Sequence, residues 1–356
     1  MKKLLCLILA VLMVFGLCAC SKESSEDENT ETSETNDYPV FLQGLLAVCL
    51  NEKFGYVNEK GNFVIPAQFD FAYWFTENGL AAVEINDKWG YVDKKGNFVI
   101  QPQFDGANIF GENGLAPAGI NGKWGFIDEK GNFVIQPQFD YAEPFRKNGL
   151  AQVKLNDKWG LIDGKGNIVC QPQFDSIYAF DENGLAQVKL NDKYGFIDEK
   201  GNVVCQPQFE DANWFTENGL AGVYLNGKWG FIDKTGSFVI EPQFENANWF
   251  AENGLAVVKL NGKYGFIDGK GNFVIEPQFE DASYFEKSGL ATAKYDGKWG
   301  VINAQGAFVV QPQYKYIGLS DFYTDGYVLL YADRNSGVID STGKVVLGIV
   351  YDMINR

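Results

Sequence analysis

Apolar and polar positions alternate in short runs along most of the chain. Residues 150–155 read Leu-Ala-Gln-Val-Lys-Leu, with Ala151, Val153 and Leu155 set against Gln152 and Lys154. That period of two predicts a strand with one buried and one wet face. Asn156-Asp157 follows, replaced by Asn-Gly at Asn121-Gly122, Asn226-Gly227 and Asn261-Gly262. Such pairs tolerate positive φ at both positions, as a two-residue hairpin requires. The next run, Trp159-Gly160-Leu161-Ile162-Asp163, is apolar on both faces and predicts a strand between layers. Gly160 leaves room there for another backbone or ring. Residues 163–167 read as a longer hairpin loop with a left-handed glycine. A third strand, 168–174, carries Pro172, which cannot donate to a ladder and predicts a sheet edge. The segment from Asp175 to Phe180 fits one helical turn with Asp175 as its N-cap.

This sentence is written about nine times. Aromatic-Gly pairs stand at Phe54-Gly55, Trp89-Gly90, Trp124-Gly125, Trp159-Gly160, Tyr194-Gly195, Trp229-Gly230, Tyr264-Gly265 and Trp299-Gly300, each step being 35 residues. A ninth copy, Ser336-Gly337, follows after 37 and lacks the aromatic. A fixed period of this size means an array of supersecondary units, and a degenerate last copy suits an end cap. The expected fold is all-β: tandem three-stranded meanders in an open, solenoid-like array. A closed β-propeller is the alternative, but its blades usually have four strands. No strand exchange is evident that would close a ring.

Lys88-Trp89-Gly90, Lys123-Trp124-Gly125, Lys158-Trp159-Gly160, Lys228-Trp229-Gly230 and Lys298-Trp299-Gly300 recur in phase with Ile-Asp and Pro-Gln-Phe segments. From about Gly44 to the C-terminus the chain therefore resembles the WG, or KWG, repeat family. The resemblance implies β-structure, an exported and often lipid-anchored bacterial protein, and a binding role with no assigned catalytic residues. In that pattern the Trp-Gly pairs are structural residues of the repeat.

Composition narrows the chemistry. The chain has 356 residues and no His, which removes Ser-His-Asp and Cys-His relays and histidine metal sites. Lys and Arg number 30 against 46 Asp and Glu, a charge of −16 that argues against nucleic acid as partner. The first residues are an address. Lys2 and Lys3 precede an apolar stretch, 4–16, too short to span a membrane comfortably. It ends in Leu17-Cys18-Ala19-Cys20, which resembles a lipobox with Cys20 as the lipidated residue. Residues 1–19 are then a signal peptide, 20–37 a lipidated Cys and disordered acidic tether, and 38–356 the repeat array. Residues 21–37 hold seven acids, one Lys and no aliphatic or aromatic residue, too little apolar surface to fold.

Identical positions in a repeat serve the scaffold, so function is sought where copies differ. The Asp-x-x-Gly-Asn loops, such as 128–132 and 198–202, contain a Lys and lack the oxygen ladder of a calcium loop, so turn chemistry explains them and no metal or cofactor is expected. Cys170 and Cys205 occupy equivalent sites in adjacent copies; they read as small buried hydrophobes, with a disulfide as the alternative. Outward positions of the first strand, Glu84, Gly119, Lys154, Lys189, Tyr224, Lys259 and Lys294, read as a solvated face. The sharpest variable column precedes the last Phe of each copy: Trp74, Ile109, Pro144, Ala179, Trp214, Trp249 and Tyr284. Three consecutive copies place Trp214, Trp249 and Tyr284 beside Asn213, Asn248 and Ser283. Stacked units would make them an aromatic ladder flanked by amides, suited to sugar rings or an extended peptide. The expected protein is a non-catalytic scaffold, lipid-anchored at the extracytoplasmic face of the cell membrane, that binds a protein or other extracellular partner. A carbohydrate or cell-wall binder is the alternative. No acid pair stands out for glycoside hydrolysis.

Overall fold

The computed structural model describes residues 42–321, 327–332, 335–340, 342 and 344–352. Cys20, the leader at 1–19 and the tether at 20–37 lie outside the described residues. The chain divides into two compact units, Met1–Gln173 and Phe174–Arg356.

In the first unit the opening sheet is a three-stranded antiparallel meander of β1 (Leu45–Leu50), β2 (Lys53–Asn58) and β3 (Phe63–Phe69). The second sheet has four strands in sequence order: β4 (Phe71–Ala72), β5 (Ala81–Ile85), β6 (Lys88–Val92) and β7 (Phe98–Phe104). Two further sheets repeat this plan, ending with Ile168–Phe174. The second unit continues it from Ser176–Phe180 to Val345–Asp352. Among the described residues every sheet holds only sequence-consecutive strands and keeps two edges, so no sheet closes on itself. The fold is all-β and tandem, with open sheets.

The expected meander is present, with the proline-bearing third strand on an edge as its composition required. The expected helical turn is not. The segment after Phe69 is the two-residue β4, which opens the next sheet by pairing Phe71 with Glu84 and Ala72 with Val83. The Asp70 amide donates to Glu84 O at 2.8 Å and the Tyr73 amide to Ala82 O at 2.9 Å. One isolated helical turn fixes several dihedrals for a single hydrogen bond. An existing strand edge offers the same amides partners at once. Asp70 is correspondingly no helix cap: its Oδ2 accepts from the Asn86 amide at 2.8 Å. Each repeat thus lends its tail to the sheet of the next.

The hairpin pairs behave as their residue types require, with φ of 52° and 59° at Asn86 and Asp87. Between β6 and β7 the register pairs Trp89 with Phe104 but Tyr91 with Ile100. Gly90 therefore faces the bulged residues 101–103. A Cβ on Gly90 would lie 2.6 Å from Ile100 O and 2.8 Å from Pro102 N. The Trp-Gly and Pro-Gln-Phe motifs are two sides of one contact: the proline forces a bulge, and the bulge forces the glycine.

Phenylalanines join successive sheets within each unit. Phe69 meets Phe98 edge to face at 6.1 Å and Phe104 meets Phe133 at 5.8 Å. Phe209–Phe238 and Phe244–Phe273 repeat the contact in the second unit at 6.1 and 6.3 Å. Ile65 packs under Gly96 of the following repeat. Tyr91, Phe104, Phe126 and Phe231 are buried, and each such ring stabilises the folded chain by roughly 1.5–3 kcal/mol.

Candidate functional site

The repeated residues are accounted for by packing and turn closure. Trp89, Trp124, Trp159, Trp229 and Trp299 are half-buried, lying at the margin of the core rather than inside it. Trp89 leans on Phe71 at 5.8 Å and Tyr73 at 5.6 Å, and Trp124 on Tyr141 at 5.0 Å. Gly90, Gly125, Gly160, Gly230 and Gly300 all face the bulged third strand, with a Cβ on each falling 2.4–2.6 Å from a carbonyl oxygen. Lys53, Lys88 and Lys123 each close a staple: Lys123 Nζ donates to Asp140 Oδ1 at 2.6 Å, and Asp140 Oδ2 accepts from the Asn156 amide at 2.7 Å. One carboxylate so ties its own repeat to the hairpin of the next.

The Asp-x-x-Gly-Asn loops are turns. Asp163 Oδ1 accepts from the amides of Lys165 and Asn167, each at 2.9 Å, and Asp163 Oδ2 from Asn167 Nδ2 at 2.8 Å. The Asn167 side-chain bond holds the Asp163 carboxyl below its usual range. Among the described residues no group of three potential ligands could hold a metal. Cys170 and Cys205 are free, buried thiols, and burial pushes both upward in pKa.

The outward column of the first strand is less wet than expected. Gly119 is buried beneath Trp124, whose Cε2 would lie 3.2 Å from an added Cβ. Lys189 and Lys259 set their ammonium groups 5.6 and 5.2 Å from the ring centres of Tyr194 and Tyr264. Tyr224 meets Trp229 at 5.4 Å. These side chains face the aromatic of the neighbouring strand and cover it.

The variable aromatics of the second unit resolve into two pairs rather than one ladder. Trp249 and Tyr284 lie 5.1 Å apart with planes at 43°, and Trp249 is 43% exposed. Trp214, half-buried, meets Tyr178 edge-on at 5.9 Å and makes no ring contact with Trp249 among the described residues. The flanking amides turn to the backbone. Asn248 Oδ1 accepts from the Trp249 amide at 2.9 Å, and Asn213 Nδ2 would lie 3.0 Å from a Cβ on Gly222. Trp249 and Tyr284 form a platform; Trp214 belongs to a different one. In the first unit Trp74 is 40% exposed and stands edge-on to Tyr73 at 5.9 Å.

One cluster escaped the sequence reading. Glu143 of the third repeat is half-buried, and desolvation raises its pKa against the opposing charge of Arg146. Tyr141 is pushed up to about 12 by burial and by the Glu143 charge. Tyr73, two repeats earlier, is raised by burial and by that same charge. The Glu143 charge is thus felt by tyrosines of two repeats of the first unit. The signal was present in a column: Glu143 stands where other copies carry Tyr73, Asn108, Tyr178, Asn213, Asn248 and Ser283.

Comparison with known proteins bears on the frame. No curated protein matches the chain. Among solved structures, a eukaryotic initiation factor is similar at 11% identity and a TM-score of 0.39, covering 85% of this chain and 94% of its own. Hsv2p of Kluyveromyces lactis gives 11%, 0.33, 58% and 74%, and apo AztD of Citrobacter koseri 11%, 0.34, 77% and 93%. The model of the WG containing repeat matches eight consecutive segments, from 54–89 to 299–329. With that register running through most of its length, on glycines and aromatics whose packing requires them, the chain belongs to the WG repeat family.

Proposed function

We propose that the chain is a non-catalytic binding scaffold, held at the extracytoplasmic face of a membrane through a lipid on Cys20, that presents its variable columns to a protein partner. The observation that carries this reading is the contrast between columns. Residues of the frame are fixed by bulges, staples and ring contacts, while the column before the last Phe varies freely and leaves Trp74 and Trp249 about two-fifths exposed. Exposed tryptophan on a rigid frame is the side chain most often found at the energetic centre of an interface. The acid excess and the address at residues 1–20 fit a partner met outside the cytoplasm.

The test is crosslinking on intact cells with the full chain, comparing wild type with Trp74→Ala and Trp249→Ala. Loss of a crosslinked partner in either variant supports the reading. An unchanged crosslink pattern in both sinks it. Lipidation is checked by mass: Cys20→Ser should abolish the acyl adduct and release the chain from membranes.

Carbohydrate binding is the second reading, favoured by the platform of Trp249 and Tyr284. Two tilted rings about 5 Å apart offer apolar faces to a pyranose.

A further inference from the structure

The first unit holds a cavity of about 550 Å³ whose lining does not include the Trp249–Tyr284 platform. Four segments build it, and Leu42 and Gln43, ahead of β1, are one of them. The loop after β4 supplies Trp74 and Glu77, the same loop one repeat later supplies Glu112, and the hairpin loop of the third repeat supplies Glu129. Phe75 and Phe110 form a buried floor at 1% and 5% exposure, and the 40% exposed indole of Trp74 forms a wall. No Lys or Arg lines it. Lys94 reaches the rim, where its ammonium donates to Gln43 Oε1 at 3.0 Å. Glu77, Glu112 and Glu129 are exposed, and among the described residues none of them makes a hydrogen bond or an ion pair.

The chain contains its own control. Residues 214–218 repeat the Trp-Phe-Thr-Glu-Asn of 74–78. There the counterpart of Glu129 is Gly269, and the counterpart of Glu112 is Glu252, which Lys287 neutralises at 3.1 Å. The same pentapeptide, with its own Glu, is thus joined by two further uncompensated carboxylates in one place and not in the other.

We infer that the first-unit cavity binds an alkylammonium group, with its apolar portion against Trp74 and its charge shared among Glu77, Glu112 and Glu129. An aromatic face attracts a cation within about 6 Å of its centre. Three exposed carboxylates around a partly apolar floor add Coulomb attraction, which is strongest at low ionic strength. A neutral sugar gains nothing from three carboxylates that no basic side chain pairs. The group could come from a free amine or from a lysine side chain of a peptide; the chemistry is the same, and the two are separated by experiment.

The test is calorimetric titration of the full chain at low ionic strength with choline, putrescine, a hexalysine peptide and a neutral disaccharide. Saturable binding of an ammonium probe is expected. Trp74→Ala should weaken it about fivefold, and Glu112→Gln with Glu129→Gln about tenfold. Trp214→Ala should leave it unchanged. Binding of choline or putrescine identifies a free amine as sufficient; binding of hexalysine alone identifies a peptide. If Trp74→Ala does not fold, Glu129→Lys replaces it, because Lys94 and Lys234 occupy the same column naturally. Absence of saturable binding by every ammonium probe overturns the inference. So does binding that survives Glu129→Lys, or competition by the disaccharide.

Discussion

Gly125 lies against the bulged strand of its own sheet so closely that a Cβ there would stand 2.4 Å from the carbonyl oxygen of Ile135. Gly125→Ala must displace that strand or break the bulge. Overpacking against backbone should destabilise the first unit by about 2 kcal/mol or more. Gly164→Ala is the control. Its only neighbour within 4 Å is Asn113 Nδ2 at 3.4 Å, and its effect should stay within about 0.5 kcal/mol. Urea unfolding of the two variants beside wild type gives both figures; equal losses would refute the bulge argument.

Glu143 and the turn aspartates set opposite pH dependences. Burial raises the Glu143 pKa, so its ionised form is the less favourable one in the folded chain. The corresponding stability is present below the ordinary carboxylate range and is lost as pH rises through the raised value. Glu143→Gln should therefore melt above wild type at neutral pH and level with it in acid.

Asp268 is held low by the side chain of Asn272. Its contribution is present above the ordinary carboxylate range and is lost as pH falls through the lowered value. Asp268→Asn should melt below wild type at neutral pH, with the gap closing in acid. Melting curves across that range check both signs.

Of the three described cysteines, Cys170 and Cys205 are buried and Cys49 is half-buried. Access favours Cys49, and burial raises the pKa of the Cys170 and Cys205 thiols. Alkylation of the native chain followed by peptide mass mapping should find Cys49 modified first, with Cys170 and Cys205 reacting only on unfolding. Early modification of Cys205 would contradict its place beside Gly236 of the next repeat.

The Trp249–Tyr284 platform can be tested apart from Trp214. If it binds a glycan, Trp249→Ala and Tyr284→Ala should each weaken binding about fivefold to tenfold, and Trp214→Ala should have little effect. Equal losses at all three positions would instead indicate a continuous ladder, against the contact of Trp214 with Tyr178.

Much of the fold could be read in the residues because its causes are local. Asn-Asp and Asn-Gly fix the hairpins, Pro102 and its counterparts fix the edge, and the period fixes the tandem plan. What could not be read depended on neighbouring repeats. Asp175 looked like a helix cap because only its own repeat was in view; its Oδ2 in fact accepts from the Asn191 amide of the next hairpin at 2.7 Å. The outward column looked solvated because alternation reports the face of a strand and not what crosses it. Trp214 looked like part of a ladder because equal spacing in sequence does not fix which ring a side chain turns toward. Glu143 stands apart in its column, but one Glu among Tyr, Asn and Ser does not reveal that its carboxyl is desolvated.

The loan of each tail strand to the following sheet bears on how such a gene can change. Because every described sheet after the first is assembled across a repeat boundary, that boundary has no physical standing inside the array. Inside the array, loss or gain of thirty-five consecutive codons, starting at any base of the reading frame, rejoins a donor tail to an equivalent acceptor. No strand is orphaned wherever the break falls. Recombination between copies can therefore lengthen or shorten the protein without searching for a permissive junction, and the identical pentapeptides at 74–78 and 214–218 are what such exchange would leave behind.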